Sequence, residues 1–308
     1  MLDDSGDTTA PLLLNRASKL PPIVRASLLL HERLPLWLQE DNHFIETGYR
    51  PESNSLQKCL ESLLYIHNET VNIYSHLIGS LVFAILPVYF LRTEIPPRYK
   101  VATIADLVVC SIYFTGVAVC FFLSATYHTL MSHSHSMCKT GVKLDFQGVI
   151  LLMWGASVPL IYYGFYCYST LQNIYWILLS TFAIACSVFT FQPRFSEPFL
   201  RPLRAATFGC FAISSMVPVV HGMVTYGYAL QGQRIGLKYV LVTLVLNITG
   251  ATAYAIKFPE RWFHRTFDIW GASHQLLHIF VVLAGLTYTA AILQCFDYLH
   301  SHPNQCAA

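Results

Sequence analysis

Seven stretches of about twenty predominantly apolar residues recur along this chain, and they limit its fold more than any other feature of the sequence. Crossing the hydrocarbon core of a bilayer takes about 20 such residues in a helix. In lipid, only a segment that satisfies its own backbone hydrogen bonds is stable. The stretches are 71–91, 106–131, 144–166, 171–191, 205–226, 236–257 and 270–294, separated by short polar or Pro/Arg-bearing segments such as 92–100, 132–143, 192–204 and 257–268. The turn near 166–170 is so short that the third and fourth spans must be antiparallel neighbours. The expectation is an all-α membrane protein, a seven-transmembrane helix bundle over residues 71–294.

Composition points the same way. Only 12% of the 308 residues are charged, 54% are hydrophobic and the mean hydropathy is +0.47, whereas soluble globular proteins carry roughly 25% charged residues. That excludes an ordinary water-soluble enzyme and a disordered chain. A net charge of +2 without a Lys/Arg cluster excludes nucleic acid as a partner. The nine cysteines are scattered, several of them inside apolar runs, and none forms a CxxC pair, so they read as packing residues rather than a disulfide framework.

Residues 1–54 read as a cytosolic tail whose first 30 residues, with Asp3, Asp4, Asp7 and three prolines, are disordered. Over 55–70, Leu56, Leu60, Leu63, Leu64 and Ile66 alternate with Gln57, Lys58 and Glu61 at near-helical spacing, which predicts an amphipathic helix on the membrane surface. Nothing before residue 71 resembles a cleavable signal peptide, and the expectation is that the first span serves as its own insertion signal. Residues 295–308 form a short tail. Fourteen of the nineteen Lys/Arg residues fall on the side of the N-terminus and five on the other. The positive-inside rule then puts the N-terminus in the cytosol and the C-terminus outside. That is opposite to a G-protein-coupled receptor, and coupling to a G protein is not expected. The membrane is the plasma membrane or an endomembrane.

Ionisable residues inside spans are costly and default to the bundle interior. With this orientation, Glu69, Asn72 and His76 lie at the cytosolic end of span 1, Ser124 and His128 at that end of span 2, Asp145 at the start of span 3, and His274 and His278 one to two turns into span 7. His274 and His278 stand at i and i+4, so two imidazoles share a helix face and are able to bind one metal ion. His128 supplies a third nitrogen. Three protein ligands with one open position is the arrangement of catalytic zinc, and an all-imidazole set suits zinc ahead of iron, nickel or copper. Haem is disfavoured, because His274 and His278 share a face and no C-x-x-C-H motif is present. Gln275 follows the first histidine and cannot take a proton. The candidate base is therefore Asp145, with Glu69 second, and Ser124 is a candidate for orienting water or stabilising an oxyanion. His221 reads as an interior or interfacial histidine, and His133, His135, His264, His300 and His302 as solvated. Asp106 and Asp268 read as helix caps.

Several of these residues lie in recognisable segments. His67-Asn68-Glu69-Thr70 with Asn72-Ile73-Tyr74-Ser75-His76-Leu77, Ser124-x-x-x-His128, Leu144-Asp145-Phe146 and Ser273-His274-Gln275-x-x-His278 resemble the signature segments of the adiponectin-receptor/haemolysin-III family, the progestin and adipoQ receptors. Leu34–Leu38, Gly48–Pro51 and Phe258–Arg261 are also similar, and Tyr74 and Ser75 look most like fungal zinc-homeostasis members. The resemblance covers roughly 34–294. It implies a seven-helix fold with a cytosolic N-terminus and a zinc ion held by His128, His274 and His278. It further implies Asp145 touching that ion through water, Ser124 nearby, and hydrolysis of a ceramide amide.

Two classes of function stay open. In one, the chain is a zinc amidohydrolase acting on a ceramide-like lipid. In the other it is a membrane receptor for an extracellular ligand, or a zinc-homeostasis regulator, in which zinc is structural.

Overall fold

The computed structural model describes residues 28–39, 42–89, 102–192, 194, 197–302 and 306. The segment read as disordered lies outside the described residues except for its last three positions. The helices are α1 (Leu36–Gln39), α2 (Leu56–Glu61), α3 (Thr70–Tyr89), α4 (Ile104–Leu130), α5 (His135–Gly164), α6 (Ser169–Phe191), α7 (Arg201–Tyr226), α8 (Tyr228–Arg234), α9 (Leu237–Ile256) and α10 (Ser273–Ser301). Seven of them are long and apolar enough to cross a membrane, and they coincide with the seven stretches read from the sequence. Ile85, Ile177, Ile213, Val224 and Val245 stand exposed on their outer faces. In water such a belt would aggregate; in a bilayer it is the lipid contact.

Local signals set the helix ends. Thr103 and Asp106 form a capping box that starts α4. Ser134 accepts from the Met137 N–H, so α5 begins at His135, well before its apolar run. α10 continues to Ser301, past the end of its apolar stretch. Gly236, in the left-handed region at φ 60°, turns the chain between α8 and α9, and a Cβ there would lie 3.0 Å from the Ala291 backbone. A left-handed turn against another helix leaves room only for glycine.

Packing of α4 on α5 fixes the site's depth. A Cβ on Gly148 would come within 2.9 Å of the Cys120 Cα, so these helices meet backbone to backbone, as small residues permit in membranes. Asp145, one turn before Gly148, is thereby set against the α4 face that carries Ser124. Interhelix bonds from Ser80 Oγ to Ala118 O (2.9 Å), Tyr113 Oη to Gly285 O (2.7 Å) and Tyr288 Oη to Ala156 O (2.6 Å) lock α3, α4, α5 and α10 together. In a water-free interior each such bond removes an otherwise unsatisfied hydroxyl.

Two ends can be distinguished by connectivity. The near end holds the starts of α3, α5, α7 and α10. The far end holds the turn from α5 to α6, together with α8 and the close of α10. The structure corrects three sequence expectations. Cys167 and Cys306 form a disulfide between the α5–α6 turn and the chain's last residues, a pairing that 139 residues of separation hides from inspection of spacing. His300 is not solvated: its Nε2 donates to Asp106 (3.1 Å), and Tyr163 Oη donates to the same carboxylate (3.0 Å). Asp268 caps no helix; it accepts from the Glu46 and Thr47 amides and the Thr47 hydroxyl. Breaking the disulfide with Cys167→Ser is expected to cost about 2–4 kcal/mol. Thermal melting of the purified chain, with and without reductant, measures this.

Candidate metal centre

At the near end, α4 and α10 bring three imidazoles to one point. The rings of His128, His274 and His278 lie 4.9–5.0 Å apart between centroids and nearly perpendicular to one another, at 75–82°. One nitrogen from each falls within 4.8 Å of the other two. His128 and His278 are buried. His128 Nδ1 donates to Glu69 Oε2 (2.8 Å) and His278 Nδ1 donates to the Asn72 carbonyl (3.1 Å). A neutral imidazole that donates from Nδ1 keeps a free lone pair on Nε2. Three imidazole nitrogens gathered this closely, with Nδ1 of His128 and of His278 already committed to other partners, are what a cation takes up. These residues fit a metal ion.

The flanking groups follow the sequence reading in part. Asp145 is half-buried on α5; its charge interacts with His128 and its carboxyl lies beside the Ser124 hydroxyl. Thr126 and Thr129, by contrast, use their hydroxyls on carbonyls of α4 itself. Asp145 does not join the close group of ligand atoms. His76 stacks on His278 at 3.7 Å and 7° and on Phe121 at 4.6 Å, with neither ring nitrogen hydrogen-bonded. His221 accepts from Tyr175 Oη (2.7 Å) at the far end, away from the triad.

Sequence reasoning missed how the site is framed. Arg50, only 4% exposed, donates to the carbonyls of His128 (2.5 Å) and Thr129 (2.9 Å) and to Ser62 Oγ (2.8 Å), filling the carbonyls that end α4. Burial, helped by the Arg50 charge, drops the His67 pKa to about 3. The neutral ring then accepts the Glu69 N–H on Nδ1 (3.1 Å). Although burial pushes the Glu69 carboxyl up, hydrogen bonds and charge from His128 and the bond from Asn72 outweigh it and hold the group below the ordinary carboxylate range. Gln275 Nε2 donates to the carbonyls of Asn68 (3.0 Å) and Ile269 (2.9 Å), pinning α10 to the approach to α3. Fully buried Glu260 accepts from the Ser273 amide (2.8 Å), the Ser273 hydroxyl and Asn42 Nδ2 (3.0 Å), so it caps the helix that carries two of the histidines. The signal for Glu260 was its place in the Phe258–Arg261 segment; its partner at Asn42 lies 218 residues away. Glu260→Ala strips several buried donors of their acceptor at about 1–3 kcal/mol each. It is expected to lower the melting temperature far more than the exposed Glu61→Ala does.

A cavity of about 40 Å³ opens at this end between the N-terminal segment and the bundle, and reaches Glu69 and His274 past Tyr49, Arg50 and Lys257. It has room for a water molecule, too little for a lipid chain.

Fold and site together define a class: a multi-pass membrane protein of seven long apolar helices with a largely buried histidine triad at one end of the bundle. The haemolysin-III related family model matches residues 64–289, and the chain belongs to that family, which includes the adiponectin receptors. It is 38% identical over 268 residues to an adiponectin receptor protein of Drosophila melanogaster, covering 87% of this chain and 59% of that one. It is 36% identical over 297 residues to the ADIPOR-like receptor IZH2 of Saccharomyces cerevisiae, covering 96% and 92%. Progestin and adipoQ receptor family member 3 of Homo sapiens is 29% identical over 280 residues, covering 90% and 88%.

Proposed function

We propose that this chain is a receptor-like membrane protein that binds zinc through His128, His274 and His278 and hydrolyses the amide of a ceramide-like lipid. The observation that carries the reading is the cluster of three histidines, His128, His274 and His278, whose ligand nitrogens lie within 4.8 Å of one another beside the Asp145 carboxyl group. A zinc ion held by His128, His274 and His278 would supply an electrophile for the amide carbonyl and would acidify water toward a pKa of ~7. The chain's own groups do the remaining work. Asp145 receives the proton that water gives up and returns it to the amine nitrogen as the C–N bond breaks. Ser124 donates a hydrogen bond to the carbonyl oxygen as negative charge gathers on it. The cavity at the near end has room for the water that the reaction consumes.

The orientation belongs to the same proposal: the near end faces the cytosol. It draws on the Lys/Arg asymmetry and on the disulfide at the far end, since disulfides persist in oxidising compartments. The test is to reconstitute the purified chain in lipid, count bound metal, and follow fatty acid release from ceramide. One zinc per chain with release above the His128→Ala background supports the reading; zinc without release removes the hydrolase.

A second reading keeps zinc as a clamp between α4 and α10 in a receptor or zinc-homeostasis regulator. The three relatives described above are each named as receptors, which favours it. So does the bonding of the triad into the framework through Arg50, Glu69 and Asn72.

A further inference from the structure

His128 is gripped by two side chains that precede the first long helix. Arg50 holds its backbone carbonyl, and Glu69 holds its ring. The Glu69 carboxylate is itself fixed. Asn72 Nδ2 donates to the same oxygen at 2.6 Å, the Glu69 amide is bonded to His67, and the neighbouring Asn68 is tied by its amide to Gly48 O (2.9 Å). A free imidazole places its proton on either nitrogen and flips about its outer bond. In one tautomer the Nε2 lone pair vanishes; in the flipped ring the wrong atom faces the triad. A rigid acceptor at Nδ1 selects the single arrangement in which the Nε2 lone pair is turned to the triad.

We infer that Glu69 is a positioning residue for the metal centre: it fixes the tautomer and rotation of the His128 ring, so that a loop outside the membrane spans sets the site's affinity. This rests on the metal-binding reading. It also removes Glu69 from candidacy as the proton acceptor. Its bonded oxygen sits on the Nδ1 side of the ring, behind the nitrogen that faces the triad, and is already shared by two donors. Carboxylate partners of metal-binding histidines generally raise ligand basicity and hold ring orientation, and their loss costs about 10–100-fold in metal affinity.

The test uses the full-length protein in detergent or lipid discs, with Zn2+ affinity read by chelator competition and geometry by the visible absorption of the Co2+-loaded form. Glu69→Ala is expected to weaken Zn2+ binding about 10–100-fold and to change the position and intensity of the Co2+ bands. Glu69→Gln keeps an oxygen that accepts from Nδ1–H and is expected to recover much of both. Should Glu69→Ala fail to fold, Glu69→Gln and Glu69→Asp carry the test, with affinity following how well each restores the acceptor. Native affinity and a native Co2+ spectrum in Glu69→Ala, or in both substitutes when alanine does not fold, overturn the inference. Failure of the unaltered protein to bind Zn2+ overturns the metal reading itself, a result distinguishable from the first.

Discussion

Replacing His128 with alanine is expected to strip the metal from the protein: bound zinc falls from about one per chain to background after dialysis against a weak chelator. The effect should exceed the ~10–100-fold that losing an outer-sphere partner costs, because a direct ligand is removed and His274 and His278 on a single helix are left to hold the ion alone. His128→Ala also deprives Glu69 of one of its two donors, so some loss of stability accompanies the loss of metal. Melting separates the two readings of the site. If zinc is a clamp between α4 and α10, chelator lowers the melting temperature of the unaltered protein by as much as the substitution does. If zinc serves chemistry, chelator abolishes turnover and leaves a bundle locked by Tyr113, Tyr288 and Ser80 near its original stability. Full zinc occupancy in His128→Ala would remove the three-histidine site altogether.

What the sequence disclosed and what it hid divide along a physical line. The spans were legible because lipid demands about twenty apolar residues in helical form wherever they occur, and this signal needs no tertiary information. The triad was legible because polar residues in spans are rare enough to be counted, and helix periodicity with topology gives each a depth. Contacts between segments that are distant in sequence were not legible. Arg50 reads as one of fourteen positive charges on its side, yet it caps α4 from across the site. His300 and Cys306 read as tail residues, yet both are committed to partners more than a hundred residues earlier. Asp268 looked like a cap because it stands just before a helix. The cap is Glu260, set by a loop whose path periodicity does not describe.

Asp145→Asn is expected to lower turnover on a ceramide-like substrate by about 10²–10⁴-fold, the usual worth of a placed proton acceptor, while zinc content and melting temperature stay near native. The substitution preserves shape and a hydrogen-bonding oxygen beside Ser124, so the α4–α5 contact at Gly148 is undisturbed. What it removes is the capacity to hold a proton. Among the described groups around the triad, no other is placed for that task. Gln275 has no basic atom and is bonded to two carbonyls. The Glu69 carboxylate is shared by His128 and Asn72 behind the ring. His76 lies flat on His278 and does not join the close group of ligand atoms. The loss should therefore appear in the rate constant, with little change in KM, because Asp145 acts on the proton and not on the acyl chain. An Asp145→Asn protein that turns over at the native rate would show that protons leave by another route, and the role assigned to this carboxyl would have to be given up even if the metal site stands.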